Sequence, residues 1–425
     1  MILAFRGVSK LRSAASCLIL ACALTISAHA TTIIVSNIND NGPGSLRQAL
    51  VDANEGDTID ATGVSGTITL TTGQLLVDKS VTINGAGADV LAIDGNATTH
   101  VFQIDTGETV TISGLTIRNG QGNFGGGILN GASATLTITN STLSGNTAAF
   151  GGGIFNSGTV TIANSTVSGN TASEGAGTYN DGAGALTITN STLSGNAAGG
   201  GGASLNLGTL QIANSTLSGN TANFAGGIFN LGTLQIGNTI LNAGDTSVNI
   251  YSNGDGGVIS LGYNLSNDNG NGFLTGPGDQ VNIDPMLGPL QDNGGPTLTH
   301  ALLPGSPAVN AGDPAFTPPP SFDQRGPGFD RVVNGRIDIG SFEAQGPAVT
   351  PTPTSTPIPT TPTPTATATP AATPSPAATP SPTATATATA TATPTPSGSP
   401  RPSPTPRVAP SPRSRPMPLP RPTPR

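Results

Sequence analysis

The phrase Asn140-Ser141-Thr142-Leu143-Ser144-Gly145-Asn146 recurs as N-S-T-[LV]-S-G-N from Asn164, Asn190 and Asn214. The starts are 24, 26 and 24 residues apart, a period at which one supersecondary unit repeats as a solenoid. A glycine-rich step follows each copy: Gly151-Gly152-Gly153-Ile154, Gly175-Ala176-Gly177-Thr178, Gly201-Gly202-Ala203-Ser204 and Ala225-Gly226-Gly227-Ile228. Ahead of the first copy lies Thr135-Leu136-Thr137-Ile138-Thr139, whose alternation sends Leu136 and Ile138 to one face and the threonines to the other. Val160/Ile162, Leu186/Ile188, Leu210/Ile212 and Leu234/Ile236 hold the equivalent places in later repeats. Three short strands per period predict three parallel sheets, in which like side chains stack about 4.8 Å apart. The opening Asn of the phrase falls at a strand corner. Asn tolerates the left-handed backbone a corner needs and can bond to its equivalent one turn away, so Asn140, Asn164, Asn190 and Asn214 are expected to form a structural ladder. N-S-T also fits the glycan acceptor pattern, though four copies in register favour the ladder.

Composition agrees with a repetitive β chain. Of 425 residues, 9% are charged, Trp is absent, Lys occurs only at 10 and 79, and Gly and Pro together number 96. Residues 1–30 read as a signal peptide: Arg6, Lys10 and Arg12 precede an apolar run too short to span a membrane, and Ala28-His29-Ala30 offers a cleavage site. Cys17 and Cys22 both lie in this segment, so the exported chain is expected to have no disulfide; lipoprotein processing at Cys22 is the alternative. From Thr31 to Gly346 there are 6 basic and 23 acidic residues, a net of −17. That balance disfavours a nucleic-acid footprint on the head, which needs a basic face.

Residues 31–55 read as an N-terminal strand and cap. Ser45 and Gln48 have capping-box spacing, and Leu46, Ala49, Leu50 and Ala53 make one apolar face of a helix of about ten residues, suited to closing the open end of a β stack. Residues 56–283 read as the repeats, 284–346 as final rungs and cap, and 347–425 as a disordered Pro/Thr/Ala-rich stalk near polyproline II, with 25 prolines in 79 residues. Its arginines, Arg401, Arg407, Arg413, Arg415, Arg421 and Arg425, are the visible means of holding an anionic envelope.

Chemistry is sparse. Between Gly120 and Leu241 the charged residues are Glu174 and Asp181 alone, which disfavours on the repeats the clustered carboxylates that polysaccharide lyases and hydrolases use. Acidic residues gather later: Asp245, Asp255, Asp268, Asp279, Asp284 and Asp292, then Asp313, Asp323, Asp330, Asp338 and Glu343. Asp268, Asn269 and Asn271 are weak candidates for calcium, without a calcium-motif spacing, and no other cofactor is indicated. Asp323, Arg325, Arg336 and Asp338 are read as an ion-pair network closing the last rung rather than as a catalytic cluster. His100 and His300 are isolated, and Gln211 and Gln235 interrupt any threonine array suited to ice.

The pairing of [LV]-x-x-N (Leu143 to Asn146, Val167 to Asn170, Leu193 to Asn196, Leu217 to Asn220) with the glycine step resembles the repeats of polymorphic outer-membrane proteins, although that family usually has Phe at the first place. The opening N-D-N-G-P-G-S-L-R-Q-A-L, from Asn39 to Leu50, is similar to segments that cap such helices. Asp284 to His300, Leu303 to Gly312, Asp323-Gln-Arg-Gly326 and Asp338-Ile-Gly-Ser-Phe-Glu343 are similar to the choice-of-anchor Q domain. These resemblances imply a single-stranded, right-handed parallel β-helix on a bacterial surface and specify no reaction. The expectation is an exported, non-enzymatic β-helix acting in adhesion or carbohydrate contact, with glycans or envelope polymers as partners. The alternative is a polysaccharide lyase or hydrolase using the acids after residue 245.

Overall fold

The computed structural model describes residues 30–244, 248–253 and 257–346. The signal segment, the stalk with its arginines, Asp245 and Asp255 lie outside the described residues. The fold is an all-β parallel solenoid of about 24 residues per turn. Its first sheet has ten strands, from Thr32–Ile34 through Thr109–Ser113, Thr135–Thr139 and Thr159–Ala163 to Val258–Gly262. The second has nine, among them Thr142–Ser144, Thr166–Ser168, Thr192–Ser194 and Thr216–Ser218, and the third has eight, from Leu75–Val77 to Val248–Ser252. Each strand pairs in parallel with its counterpart one turn on: Leu136 lies beside Val160, and Ile138 beside Ile162. Leu136, Ile138, Leu143 and Ile154 are fully buried, as are their equivalents above and below. Each such side chain contributes about 1.5–3 kcal/mol of burial, and the stacked column forms one continuous core.

Two expectations need correction. Among the described residues the solenoid has four parallel sheets rather than three, because Gln121–Phe124, Thr147–Phe150, Thr171–Glu174 and Ala197–Gly200 form a short fourth one. The second correction concerns residues 284–346, which add no rungs. The end of the stack is closed by residues 263–283 instead: Leu274 enters the core, and Phe273 and Val281 pack against it. Residues 284–346 turn back along the outer face of the second sheet, where their one ladder is the antiparallel pair Leu287–Gln291 with Thr299–Leu302.

The reason is the row of hydroxyls on that face. Thr166 Oγ donates to the Leu298 carbonyl at 2.7 Å, Thr192 Oγ donates to Gln324 Oε1 at 2.6 Å, and Ser341 N donates to Thr216 Oγ at 3.1 Å. A segment rich in Pro and Gly forms few ladder bonds of its own, so it takes these as partners. At the other end, the helix Leu46–Asp52 buries Leu46, Ala49 and Leu50. Ser45 Oγ accepts from Gln48 N at 3.1 Å, but the Gln48 amide reaches Asp52 at 2.8 Å, so the reciprocal half of the capping box is absent. Arg47 ties the helix down through Asp40 and the carbonyls of Gly73 and Gln74.

Candidate binding surface

The phrase is built into the interior more deeply than its opening Asn suggests. Asn140, Asn164, Asn190 and Asn214 have φ of 48, 50, 50 and 50° and turn the chain between the first and second sheets. Side-chain bonds join Asn190 to Asn164 and Asn238 to Asn214. The unbroken ladders run elsewhere. The last Asn of the phrase forms one: both N–H groups of Asn146, backbone and amide, donate to Asn170 Oδ1 at 3.0 Å, Asn170 repeats this to Asn196, and Asn196 to Asn220, all four being fully buried. A second runs through Asn130, Asn156, Asn180, Asn206 and Asn230 at 2.7–2.8 Å. The phrase serines form a third, each hydroxyl donating to a corner carbonyl and accepting from the previous turn, as Ser165 does with Ala163 and Ser141. Asn190 and Asn214 are buried beside Phe322 and Arg331 of the C-terminal segment, which leaves no room for a glycan on either.

The acidic residues are spread through structural duties. Asp279 accepts from Asn264 N, Gly276 N and Ser260 Oγ, which holds the end-closing loop to the last strand. Asp268 accepts from Asn249 N, Ser266 Oγ and Gly270 N at 2.7 Å each, and although burial opposes it these bonds hold its carboxyl below the usual range. The calcium candidates are therefore engaged otherwise, with Asn269 accepting from Asn271 N. No group of three His, Cys, Asp or Glu side chains suited to a metal exists among the described residues. Asp284, Asp292 and Asp313 each cap a turn two residues on.

The expected ion-pair network is only partly present, and it anchors the back-folded segment rather than a last rung. Arg325 pairs with Asp323 at 2.6 Å, both buried, and its guanidinium lies 3.9 and 3.8 Å from the ring centres of Phe329 and Phe342. Arg336 donates to the Gly312 and Ala311 carbonyls and not to Asp338, whose carboxylate instead accepts from Asn310 N and Ala344 N. Sequence reasoning missed Arg331 and the burial of Glu343. Arg331 is fully buried and donates to the Asp338 and Gly340 carbonyls. Burial, followed by the neighbouring charge of Asp338, pushes the Glu343 carboxyl up to about 8, although Arg331 and two backbone donors act against this. These carboxylates are closed off from any substrate.

Two of the open surfaces bear on binding. One is a cleft of about 540 Å³ lined by Thr69, Asp94, Asn96, Asn119, Gln121 and Thr147 among others. Asp94 is its single carboxylate among the described lining residues; it binds Arg118 at 3.0 Å and Asn119 at 2.8 Å, so the cleft holds no pair of free acids.

The other surface lies where the third and fourth sheets adjoin, and it is aromatic. Phe124 and Phe150 share register in the fourth sheet, while Phe155 and Tyr179 do so in the third. Their rings contact one another with centroid distances of 4.9–5.5 Å. After one turn without a ring, where Leu205 and Gly200 stand, Phe224, Phe229 and Tyr251 resume at 5.2–6.1 Å. Phe124 and Phe224 are 41% and 55% exposed, far beyond what packing requires of Phe. The signal was visible as the repeated x-[FY]-N of Ile154-Phe155-Asn156, Thr178-Tyr179-Asn180 and Ile228-Phe229-Asn230, with a second aromatic five residues earlier in two of the three. The fourth sheet is what turns these columns into a surface. Burial raises the Tyr179 hydroxyl above its ordinary value, and the charges of Glu174 and Asp181 add to this, which puts both acids beside the strip.

A family model described as a right handed beta helix region matches residues 79–242, the part of the chain that contains every copy of the phrase and all of the strip except Tyr251. No curated protein matches the chain, and no solved structure does.

Proposed function

We propose that the protein is a secreted or cell-surface β-helix that binds carbohydrate without turning it over, and that the aromatic strip is its contact surface. β-helices occur both in surface proteins and in polysaccharide-degrading enzymes. The strip is the observation that favours binding: a rigid column of rings in register, half-buried except for the exposed Phe124 and Phe224, offers an apolar ridge to the apolar faces of sugar rings at little cost in side-chain entropy. The degradative reading requires an exposed pair of carboxylates. Among the described residues the acids after 245 other than the exposed Asp330 instead cap turns, brace loops or lie buried in the C-terminal segment. The likeness of residues 284–343 to a choice-of-anchor Q domain and of the phrase to polymorphic outer-membrane repeats supports surface display, as do the proposed signal peptide and stalk. The stalk arginines are proposed to hold an anionic envelope polymer. The full chain is tested on a glycan array, with wild type beside Phe155→Ala. Retention of one glycan group that the variant loses, without product release, is the expected result; turnover abolished by Asp94→Asn or by an acid after 245 would sink the reading.

A further inference from the structure

We propose that the ligand of the strip is an uncharged, linear polysaccharide lying parallel to the helix axis; this rests on the carbohydrate reading above. Shape is the first argument. From the turn of Phe124 to that of Tyr251 the strip crosses six turns, or about 24 Å at the spacing of stacked strands, yet it is only two columns wide. A single sugar or a branched cluster would leave most of it uncovered, whereas an extended chain advances by roughly one sugar per turn. Consecutive rings then meet consecutive sugars. The ringless turn at Gly200 and Leu205 divides the strip in two, so tight binding requires a chain long enough to reach both halves.

Charge is the second argument. Between Gly120 and Leu241 the charged residues are Glu174 and Asp181. Glu174 takes the place in register beside Phe150, directly in the strip. No cation offsets them in that stretch, so uronate, sulfate or phosphate groups on the ligand would face like charge. The exposed polar neighbours in the same turns are neutral, namely Asn123, Ser173 and Asn223, which can bond to hydroxyls.

The experiment titrates the full chain with size-graded neutral oligosaccharides (cello-, xylo- and manno-series) and with polygalacturonate. Affinity for one neutral series is expected to climb from dimer to hexamer while polygalacturonate stays unbound. Phe155→Ala should weaken the hexamer about tenfold, the effect of losing one ring contact. Glu174→Lys, an exposed change that spares the core, should admit polygalacturonate. Equal affinity for polygalacturonate and the neutral chains, or a plateau at the monosaccharide, overturns the inference and leaves carbohydrate binding standing. Failure of every sugar to bind overturns carbohydrate binding itself. Loss of self-association on Phe155→Ala, with sugar affinity unchanged, would assign the strip to a second copy of this chain and overturn both.

Discussion

At the scale of single residues, the two kinds of Asn in the phrase do different work. The opening Asn turns the corner with φ near 50°, a backbone that Gly also adopts, while at Asn164, Asn190 and Asn214 the side chain bonds as well. The closing Asn is chosen for its amide, which satisfies buried backbone groups of the preceding turn and joins the Asn of the next. Asn170 accepts two N–H groups from Asn146 and donates to the Leu143 carbonyl at 3.1 Å. Asn170→Ala is therefore expected to cost about 2–4 kcal/mol, since it orphans several buried polar groups at once, whereas Asn140→Gly should stay within about 0.5 kcal/mol. Urea denaturation midpoints of the two variants check the contrast. Equal effects would mean that the corner and the ladder bear alike on stability. Glu343 gives a pH signature. Its carboxyl is pushed up to about 8 in the fold from an ordinary 4.5, so the folded state holds the proton more tightly. Stability from this group is fully present below 4.5 and is lost as pH rises toward 8. Denaturation midpoints measured across that window should fall with pH in the wild type and flatten in Glu343→Gln. A rise through the window would contradict the buried, proton-holding state.

At the scale of elements, three pieces close what a stack of strands leaves open. The N-terminal helix covers one end. The loop 263–283 covers the other, and Leu274→Ala should remove about 2–4 kcal/mol by opening a cavity beneath the last turn. Hydrogen exchange is expected to show the strands Thr233–Gly237 and Val258–Gly262 losing protection first. The third piece, 284–346, is held along the flank by Gln324, whose amide reaches Thr166, Thr297 and the Leu298 carbonyl and whose oxygen accepts from Thr192. Gln324→Ala leaves two hydroxyls of the second sheet and one of the segment itself without this partner. It should increase protease cleavage within 284–346 while far-ultraviolet circular dichroism, dominated by the solenoid, stays unchanged. If the circular dichroism collapses as well, the segment is part of the folding core instead of a strap on a finished stack.

For the whole molecule, the uneven distribution of chemistry is the main guide. Titratable groups are concentrated in the N-terminal cap, the first turns up to Arg118 and the segment after Leu241. The aromatic strip lies in the stretch that is nearly free of charge. Glycan binding through the strip should therefore be almost independent of salt between low and physiological ionic strength, because stacking is not screened. Retention through the proposed arginine stalk should fall steeply over the same range. Measuring both with the full chain separates the two modes. A strong salt dependence of glycan affinity would transfer the binding to the charged tail.

Much of the fold could be read from the residues. The period, the alternation of Leu136 and Ile138 with threonines, and the left-handed corners at Asn are local properties, and stacking repeats them turn after turn without further information. The helix at Ser45 was legible for the same reason, since a cap and an apolar face involve only near neighbours. The site was not. Phe124 and Phe155 are 31 residues apart, and neither column of rings means anything until turns stack and a fourth sheet brings the columns side by side. The destination of residues 284–346 was equally hidden, because a segment without a ladder of its own goes where distant hydroxyls offer partners. Local periodicity by itself determined the solenoid. Only tertiary structure decided which of its faces is covered and which is free to bind, because that depends on contacts between residues more than a hundred positions apart.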